Sequence, residues 1–455
     1  MSRPERRLSL LDCIALGING IIGSGIYLQV SPLAQRAGPA SVLGVLACGL
    51  LCSLVGLCFA ELSGMFDRSG GSYLYTRAAF GPQVGFAVGW MSMANGVLGF
   101  SAVAVGFAEA LLPGPLSAWR VGGLELSWRT AVAVALICAL GAINYLGVRA
   151  GARTMDLLSV AKIAPLLLLA LGGLFSVKGA VLARIFSPEA VPASSGGYFP
   201  AVLGATFLAV FMLSGFEYTS VPAGEVRDAR RVLPLVMVGS LLGSTLLYCV
   251  LMLVAHSVLP DVAARVQPLP DTAAALVGPW GGRAMNGAAL VSMAGFCAGS
   301  ALVGPRYFTA LAEDGFLPAS LARYTRFGTP GPAILASTAM AVLLALLLGF
   351  SSLVDISIVA LFLQYIPSAL AVPVLRRRLP DAPRAYRLPG GALIPALATL
   401  VSVALLVAAR PGGREWWVSL EVLAVGVLAW GLTALARRRG RAREAAKPAP
   451  PTQAG

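Results

Sequence analysis

Long apolar runs recur along the whole chain of 455 residues, and they constrain its fold more than any other feature. A helix needs roughly 20 apolar residues to cross a bilayer core about 30 Å thick, and each run is of that kind. Hydrophobic residues make up 57% of the chain and charged residues only 12%, whereas about 25% of an average soluble domain is charged. So little polar surface could not cover this many apolar residues in water. The composition excludes soluble enzymes and disordered regulators, and it predicts a multi-pass membrane protein.

Twelve such runs can be delimited, and none has the alternation over about 10 residues that is typical of a membrane-spanning strand. We therefore predict an all-α polytopic protein with twelve transmembrane helices. The predicted spans are residues 8–31, 40–65, 83–112, 129–147, 155–176, 200–224, 233–256, 284–312, 332–349, 352–374, 391–409 and 416–436. No small-residue cleavage site follows the first run at the right distance, so we expect the first helix to remain in the mature protein.

The distribution of basic residues predicts the orientation. The chain carries 34 Lys and Arg against 20 Asp and Glu, a net charge of +14. With a cytoplasmic N-terminus, 24 of the 34 basic residues fall on the cytoplasmic side and 9 fall outside. Basic residues collect in cytoplasmic loops, so both termini are predicted to be cytoplasmic, in a membrane of the bacterial inner-membrane type. The charge excess then reflects topology, and we expect no nucleic acid partner.

Few residues of the chain suggest catalytic or metal chemistry. Most of the seven cysteines lie in apolar runs without metal-like spacing, which indicates small apolar packing. The one histidine, His256, falls at the outer end of the seventh run, where we expect a solvated side chain. No nucleophile–base pair and no nucleotide-binding glycine loop is evident. The sequence therefore predicts neither an enzyme nor an ATP-driven pump, and no metal or cofactor.

Two of the predicted helices are interrupted by glycine. The first contains Gly17, Gly20, Gly23 and Gly25, and the sixth contains Gly215 at a similar depth. Glycine costs a helix about 1 kcal/mol relative to alanine, and clusters of glycine and serine are sites of kinks. A simpler interpretation is close helix packing by small residues. Interrupted helices at matching depth, however, are typical of a substrate site at the membrane midplane.

The second break comes five helices after the first, and an odd-numbered unit repeated once must insert with inverted topology. Unwinding frees backbone N–H groups, which can hold a carboxylate, and C=O groups, which can hold an ammonium. A zwitterionic amino acid carries both groups. The two breaks therefore predict an amino acid site between two inverted repeats.

Several motifs, in order along residues 8–375, resemble those of one transporter family. They are Gly23-Ser24-Gly25-Ile26, Ala60-Glu61-Leu62-Ser63, Gly70-Gly71-Ser72-Tyr73, Gly85-Phe86-Ala87-Val88-Gly89-Trp90, Gly215-Phe216-Glu217, and Glu313-Asp314-Gly315-Phe316-Leu317-Pro318. Their order and spacing resemble the amino acid–polyamine–organocation (APC) superfamily. The resemblance implies an amino acid permease with the leucine-transporter-type 5+5 inverted repeat and two extra C-terminal helices.

The same resemblance divides the chain into five parts. These are a cytoplasmic N-terminus (1–7), a first repeat of helices one to five (8–176), a second repeat of helices six to ten (200–374), helices eleven and twelve (391–436), and a basic cytoplasmic tail (437–455) that we expect to be disordered.

The resemblance also implies which groups meet the substrate. Its carboxylate would meet the backbone N–H groups of Gly23, Ser24 and Gly25. Its ammonium would meet carbonyls near Ile21, Phe211 and Ser214. The Phe211 ring falls where the family often has an aromatic gate, although ordinary core packing is the alternative. Asn95 on the third helix and Ser300 on the eighth would face the substrate side chain.

Among the charged residues inside predicted spans, Lys162 and Glu217 are the two candidates for a functional role. Lys162 is costly there, by about 2.5–3.5 kcal/mol at the centre of a helix, so it is a functional candidate. The resemblance implies that it replaces the bound sodium of sodium-coupled relatives, between the first and eighth helices. Proton coupling, a purely structural bridge and snorkelling to the interface remain open for it. Glu217 beside the second break could titrate, bind a cationic substrate, or hold neighbouring helices and gate the site.

These features together predict a secondary transporter of L-amino acids, neutral ones in particular, that works by alternating access as a proton symporter or an exchanger. The alternative substrates are cationic amino acids or polyamines, for which Glu217 is the one carboxylate near the predicted site. A non-transporting amino acid sensor is the alternative of a different class. The expected partners are the substrate, protons and the lipid bilayer, with the chain as a monomer or homodimer.

Overall fold

The computed structural model describes residues 14, 17, 18, 20–66, 70–114, 118–121, 124–147, 152–217, 229–384, 386–408 and 413–445. This part of the chain is mostly helical. In chain order the helices are α1 Gly25–Leu28, α2 Val30–Ala37, α3 Ser41–Ser63, α4 Ser72–Phe80, α5 Pro82–Leu111, α6 Trp128–Tyr145, α7 Ala152–Gly173, α8 Gly179–Ile185, α9 Tyr198–Leu213, α10 Ala229–Val258, α11 Pro268–Val277, α12 Pro279–Glu313, α13 Gly331–Leu347, α14 Phe350–Arg378, α15 Leu393–Ala408 and α16 Gly413–Ala445.

Seven stretches among the described residues are helical, long and apolar enough to cross a membrane. They are Val30–Ser63, Pro82–Leu111, Trp128–Tyr145, Pro234–Val258, Pro279–Glu313, Phe350–Arg378 and Trp417–Leu435. An eighth arises if Lys162–Ser176 and Gly179–Ile185, which meet at 102°, count as one broken span. The prediction of a helical, multi-pass membrane protein is confirmed, whereas the count of twelve stays a prediction.

Three further apolar helices are shorter than a typical span: Tyr198–Leu213, Gly331–Leu347 and Leu393–Ala408. They overlap the predicted sixth, ninth and eleventh spans. Helix α9 is short because its backbone leaves the helical conformation at Ser214, ahead of the expected end at residue 224. The last ten residues of that predicted span include positions outside the described residues.

A tight turn connects the first two predicted spans. A 3₁₀ turn, Gly38–Ala40, separates α2 from α3. Gly38 has φ +54°, which favours glycine, and Pro39 occupies the first turn, where its missing N–H is not needed. The Ser41 hydroxyl donates to the Gly38 carbonyl at 2.6 Å. His256 approaches the same hydroxyl at 3.4 Å and is half-buried, so it is less solvated than its position in the sequence predicts.

Helix α5 forms the centre of the packing. It lies against α12 on one side and α14 on another, while α3 packs against α9 and α10. The strands Ala118–Val121 and Leu124–Ser127 pair as an antiparallel hairpin, and the Ser127 hydroxyl then caps the first turn of α6. Helix α16 continues to Ala445, past the expected end at residue 436. Its Ala- and Arg-rich end favours helix, and basic residues suit the negative pole of the helix dipole.

Two polar clusters join helix ends. The buried Glu61 carboxylate at the end of α3 accepts bonds from Arg376 on α14 at 2.8 and 2.5 Å. It also accepts the Leu388 N–H at 2.8 Å. In the second cluster, Tyr73 on α4 donates to Asp314 after α12 at 2.6 Å.

Arg77 on α4 forms an ion pair with the same Asp314 carboxylate. Burial raises the pKa of the Tyr73 hydroxyl, and the bond to Asp314 raises it further. The pKa of Arg77 is also raised, chiefly by its hydrogen bond with Asp314. This cluster therefore fastens α4 to the end of α12.

Candidate functional site: two interrupted helices that meet

The first break lies immediately before α1. Residues 22–24 leave the helical conformation, and helical backbone resumes at Gly25. The Gly23 N–H donates to the Ile21 carbonyl at 2.9 Å across a tight turn. Within the described part of the chain, the N–H groups of Ser24 and Gly25 donate to no backbone carbonyl. Unpaired N–H groups at the start of a helix attract anions, so these two can receive a carboxylate.

The second break follows α9. Ser214 is extended, with ψ 168°, and Gly215 has φ +103°, a conformation that other residues rarely adopt. The Ser214 hydroxyl folds back and donates to the Phe211 carbonyl at 2.8 Å. The helix therefore ends at Leu213 because the following serine and glycine turn the backbone away.

The two breaks lie against each other. A Cβ atom built on Gly20 would lie 2.6 Å from the Gly215 carbonyl oxygen, and one built on Gly215 would collide with the Gly20 carbonyl. Likewise, a Cβ on Gly25 would lie 2.5 Å from the Met212 Cβ. Glycine is thus required because two backbones approach directly, and this close approach brings the non-helical backbone of both breaks into one region.

Two hydroxyls from other helices hold the carbonyls of the first break. Ser292 on α12 donates to the Gly23 carbonyl at 2.9 Å, and Tyr248 on α10 donates to the Ile21 carbonyl at 3.3 Å. Sequence reasoning missed both residues, because each lies within an apolar run far from the break in sequence. Neither Ile21 nor Phe211 presents an unbonded carbonyl in this structure, since both already accept hydrogen bonds.

Glu217 lies beside the second break with 4% of its surface exposed. Its carboxylate accepts the Gly215 N–H at 2.9 Å and the Tyr365 hydroxyl at 3.1 Å. Tyr365 is itself packed between Phe216 and Phe59, with ring centroids 5.5 and 6.0 Å away. The carboxylate is therefore tied to the backbone of the break and to α14.

Lys162 is 1% exposed, so its amine lies inside the protein. Snorkelling would instead require the amine to lie at a surface. A Cβ built on Gly295 of α12 would lie 2.9 Å from the Lys162 Cε and 3.1 Å from its Nζ. The lysine of α7 thus reaches the helix whose Ser292 holds the first break.

The remaining predicted residues lie on α5, α9 and α12. The Asn95 Oδ1 accepts the Ser357 hydroxyl of α14 at 2.6 Å. The Phe211 ring is buried and meets Phe350 edge to face, with centroids 6.3 Å apart. Ser300 is 6% exposed, and its hydroxyl has no hydrogen-bond partner among the described residues.

Searches against known proteins agree with these features. The amino acid permease family model matches residues 8–430. A branched-chain amino acid permease of Bacillus subtilis is 27% identical over 417 residues, which cover 88% of each chain. A serine/threonine exchanger of the same organism is 27% identical and covers 87% of this chain and 89% of its own.

A vacuolar cationic amino acid transporter of Arabidopsis thaliana is 26% identical over 83% of this chain and 64% of its own. The names of these relatives agree on amino acid transport while differing in substrate. Both the APC resemblance and the expectation of a transporter are confirmed by the family match. The chain therefore belongs to the amino acid permease family of the APC superfamily, and it is a membrane transporter of amino acids and not an enzyme.

Proposed function

We propose that the chain is a secondary active transporter that moves neutral L-amino acids by alternating access, with its substrate bound where the two interrupted helices meet. The observation that carries the proposal is the direct backbone contact of Gly20 with Gly215. Two breaks in contact offer N–H and C=O groups to one small ligand. A zwitterion needs both kinds of group.

The proposed architecture is twelve helices, with helices one to five (8–176) and six to ten (200–374) as inverted repeats and helices eleven and twelve (391–436) outside them. Two pairs of helices support it. The first and sixth predicted helices meet at their breaks, and the third and eighth, α5 and α12, pack together. Partners in both pairs occupy equivalent positions in the two repeats, as contact across a pseudo-two-fold axis requires.

In this proposal the substrate carboxylate accepts the N–H groups of Ser24 and Gly25. The Gly23 N–H joins them once its turn to Ile21 opens. The substrate ammonium donates to the Ile21 and Phe211 carbonyls, each of which has two lone pairs. The Phe211 oxygen can accept it beside the Ser214 hydroxyl. The Ile21 oxygen can accept it beside the Tyr248 hydroxyl, in place of the Gly23 N–H.

Neutral substrates are favoured by the surroundings of Glu217. An unpaired cationic side chain is prohibitively costly in the membrane interior, and this carboxylate already holds Gly215 and Tyr365. A cationic amino acid or polyamine is the second candidate, favoured by the relatives named for cationic transport. A cationic substrate would have to share this carboxylate with both partners.

Coupling to protons, or exchange of one amino acid for another, completes the proposal. Lys162 bridges to α12 in either case, and Glu217 holds the second break. The transporter lies in a bacterial-type cell membrane with both termini in the cytoplasm, as a monomer or homodimer.

The test is uptake of radiolabelled leucine, alanine, serine, lysine and arginine by proteoliposomes that contain the purified protein. Each uptake is measured with and without a pH gradient, and with and without preloaded amino acid. We expect neutral amino acids to be taken up, with counterflow when liposomes are preloaded. Lysine uptake without neutral uptake would support the cationic alternative. Binding without any counterflow would support a sensor.

A further inference from the structure

Phe296 of α12 lies directly on the first break. A Cβ built on Gly23 would lie 2.8 Å from the Phe296 Cδ2, and one built on Gly99 of α5 would lie 3.8 Å from its Cζ. The ring therefore spans from the break to α5 at a place where both neighbours lack side chains. It is only half-buried although Gly23 and Gly99 are buried, so part of the ring remains accessible.

One face of α12 runs along the break. Ser292, Phe296 and Ser300 are spaced four residues apart, which puts them on the same side of a helix. Ser292 bonds to Gly23 and Phe296 packs on it, so this face is directed toward the break. Ser300 follows one turn further along the same face.

The register of α5 against α12 extends this arrangement. Gly99 faces Phe296, and Gly96, one turn earlier on α5, approaches Gly304, two turns later on α12. The helices therefore run antiparallel. Asn95, next to Gly96, falls near Gly304, one turn of α12 beyond Ser300. Along α12 the aromatic ring of Phe296 therefore comes first, and the polar groups of Ser300 and Asn95 follow on the side toward Gly304.

The hydroxyl of Ser300 is unusual among the helical hydroxyls. Thr309 on the same helix donates to the carbonyl four residues earlier at 3.0 Å, and Ser92 and Ser101 on α5 do the same at 2.8 Å. Ser300 makes no such bond. Of the buried hydroxyls without a partner in the described part of the chain, it alone shares a helix face with Ser292 and Phe296. An unsatisfied buried hydroxyl is costly, and a ligand hydroxyl would satisfy it.

We propose that Phe296 and Ser300 line the compartment for the substrate side chain and select small neutral amino acids, with serine bound better than its methyl isostere, 2-aminobutyrate. This inference rests on the proposed function and specifies its substrate class. The ring of Phe296 limits the length of the side chain. The Ser300 hydroxyl gives a hydroxylated substrate a hydrogen bond that 2-aminobutyrate cannot make.

The size limit is tested by competition against labelled alanine uptake in proteoliposomes, with unlabelled serine, 2-aminobutyrate, leucine and phenylalanine. In the wild-type protein we expect leucine and phenylalanine to compete at least tenfold more weakly than serine, since mismatch in a pocket of fixed size is worth about 10–200-fold. In the Phe296→Ala variant, the preference for leucine over alanine, measured by how strongly unlabelled leucine competes with labelled alanine, should rise at least tenfold. Phe296→Leu, which keeps an apolar side chain, should give a smaller rise in the same direction and serves if the alanine variant does not fold.

Phe175→Ala is the matched control, because that ring is 96% exposed and cannot reach the site. Its preferences should equal those of the wild-type protein. Leucine that competes as well as serine against the wild-type protein would overturn the size limit, and so would an unchanged preference in both Phe296 variants. Absence of uptake of every amino acid by the wild-type protein would instead contradict the proposed function.

The hydrogen bond is tested by the ratio of the inhibition constants of serine and 2-aminobutyrate. One hydrogen bond is worth about fivefold in this ratio. Ser300→Ala should bring the ratio to about one. Thr309→Val, which removes a hydroxyl bonded within its own helix, should leave it as in the wild-type protein. A ratio of one in the wild-type protein, or an unchanged ratio in Ser300→Ala, would overturn the role of Ser300.

Discussion

Single hydroxyls hold the first break in position. Ser292 is the clearest example, because its hydrogen bond to the Gly23 carbonyl joins α12 to the unwound segment. The bond fixes the direction of the neighbouring N–H groups, which in our proposal bind the substrate carboxylate. Lys162 reaches the same helix from α7, next to Gly295. At the scale of residues, then, hydroxyls of α10 and α12 fix the first break.

Removing the Ser292 hydroxyl should weaken substrate binding. An unsatisfied buried carbonyl costs about 1–3 kcal/mol, so we expect Ser292→Ala to raise the KM for uptake by roughly 5- to 100-fold. Ser53→Ala is the control, because Ser53 donates only to a carbonyl of its own helix. Equal KM values for the two variants in a proteoliposome uptake assay would argue against this role of Ser292.

Substitution of Lys162 distinguishes a role in proton coupling from a purely structural bridge. If its amine exchanges a proton during transport, Lys162→Ala should abolish the stimulation of uptake by an inward pH gradient while counterflow persists. The measurement is uptake with and without the gradient, compared with Lys178→Ala near the end of α7. A Lys162→Ala variant that transports with unchanged pH dependence would eliminate the coupling role and leave the structural bridge.

At the scale of helices, the breaks depend on glycine at the point of contact. Gly215→Ala should abolish transport, since its φ of +103° and its contact with Gly20 both exclude a Cβ atom. Gly239→Ala on α10 is the control, because nothing lies within 4 Å of a Cβ built there. Both variants are to be compared in uptake at equal reconstituted amounts. Wild-type uptake by Gly215→Ala would mean that the two backbones do not need to meet.

The helices also show which residues of the candidate site can be predicted from the sequence. Gly23, Gly25 and Gly215 could be found from the sequence, because glycine inside an apolar run is a local signal. Ser292, Tyr248 and Phe296 could not, since their contacts with the first break join residues more than 220 positions apart. Their residue types are also ordinary for a buried helix. Only the packing of α10 and α12 against the break reveals them.

At the scale of the whole molecule, a buried ion pair fastens helices that are distant in sequence. Glu61 on α3 is 1% exposed and bonds Arg376 on α14 as well as the Leu388 N–H. Breaking a buried pair from one side costs about 3–5 kcal/mol, because the remaining charge stays buried. Because the pair joins α3 to α14, removal of one partner is expected to destabilise the fold.

Glu61→Gln should accordingly lower the thermal unfolding temperature of the detergent-solubilised protein by several degrees. Glu189→Gln is the control, since Glu189 is exposed on a 3₁₀ turn. Static light scattering or intrinsic fluorescence during heating measures both. Equal unfolding temperatures for the two variants would indicate that the Glu61 pair contributes no net stability.

The central claim is that the two interrupted helices form one amino acid site. An experimental structure with a transported amino acid bound tests it most directly. We predict the substrate carboxylate within 3.2 Å of the Ser24 and Gly25 N–H groups, its ammonium at the Ile21 and Phe211 carbonyls, and its side chain between α5 and α12. A transported amino acid bound away from both breaks would contradict the account.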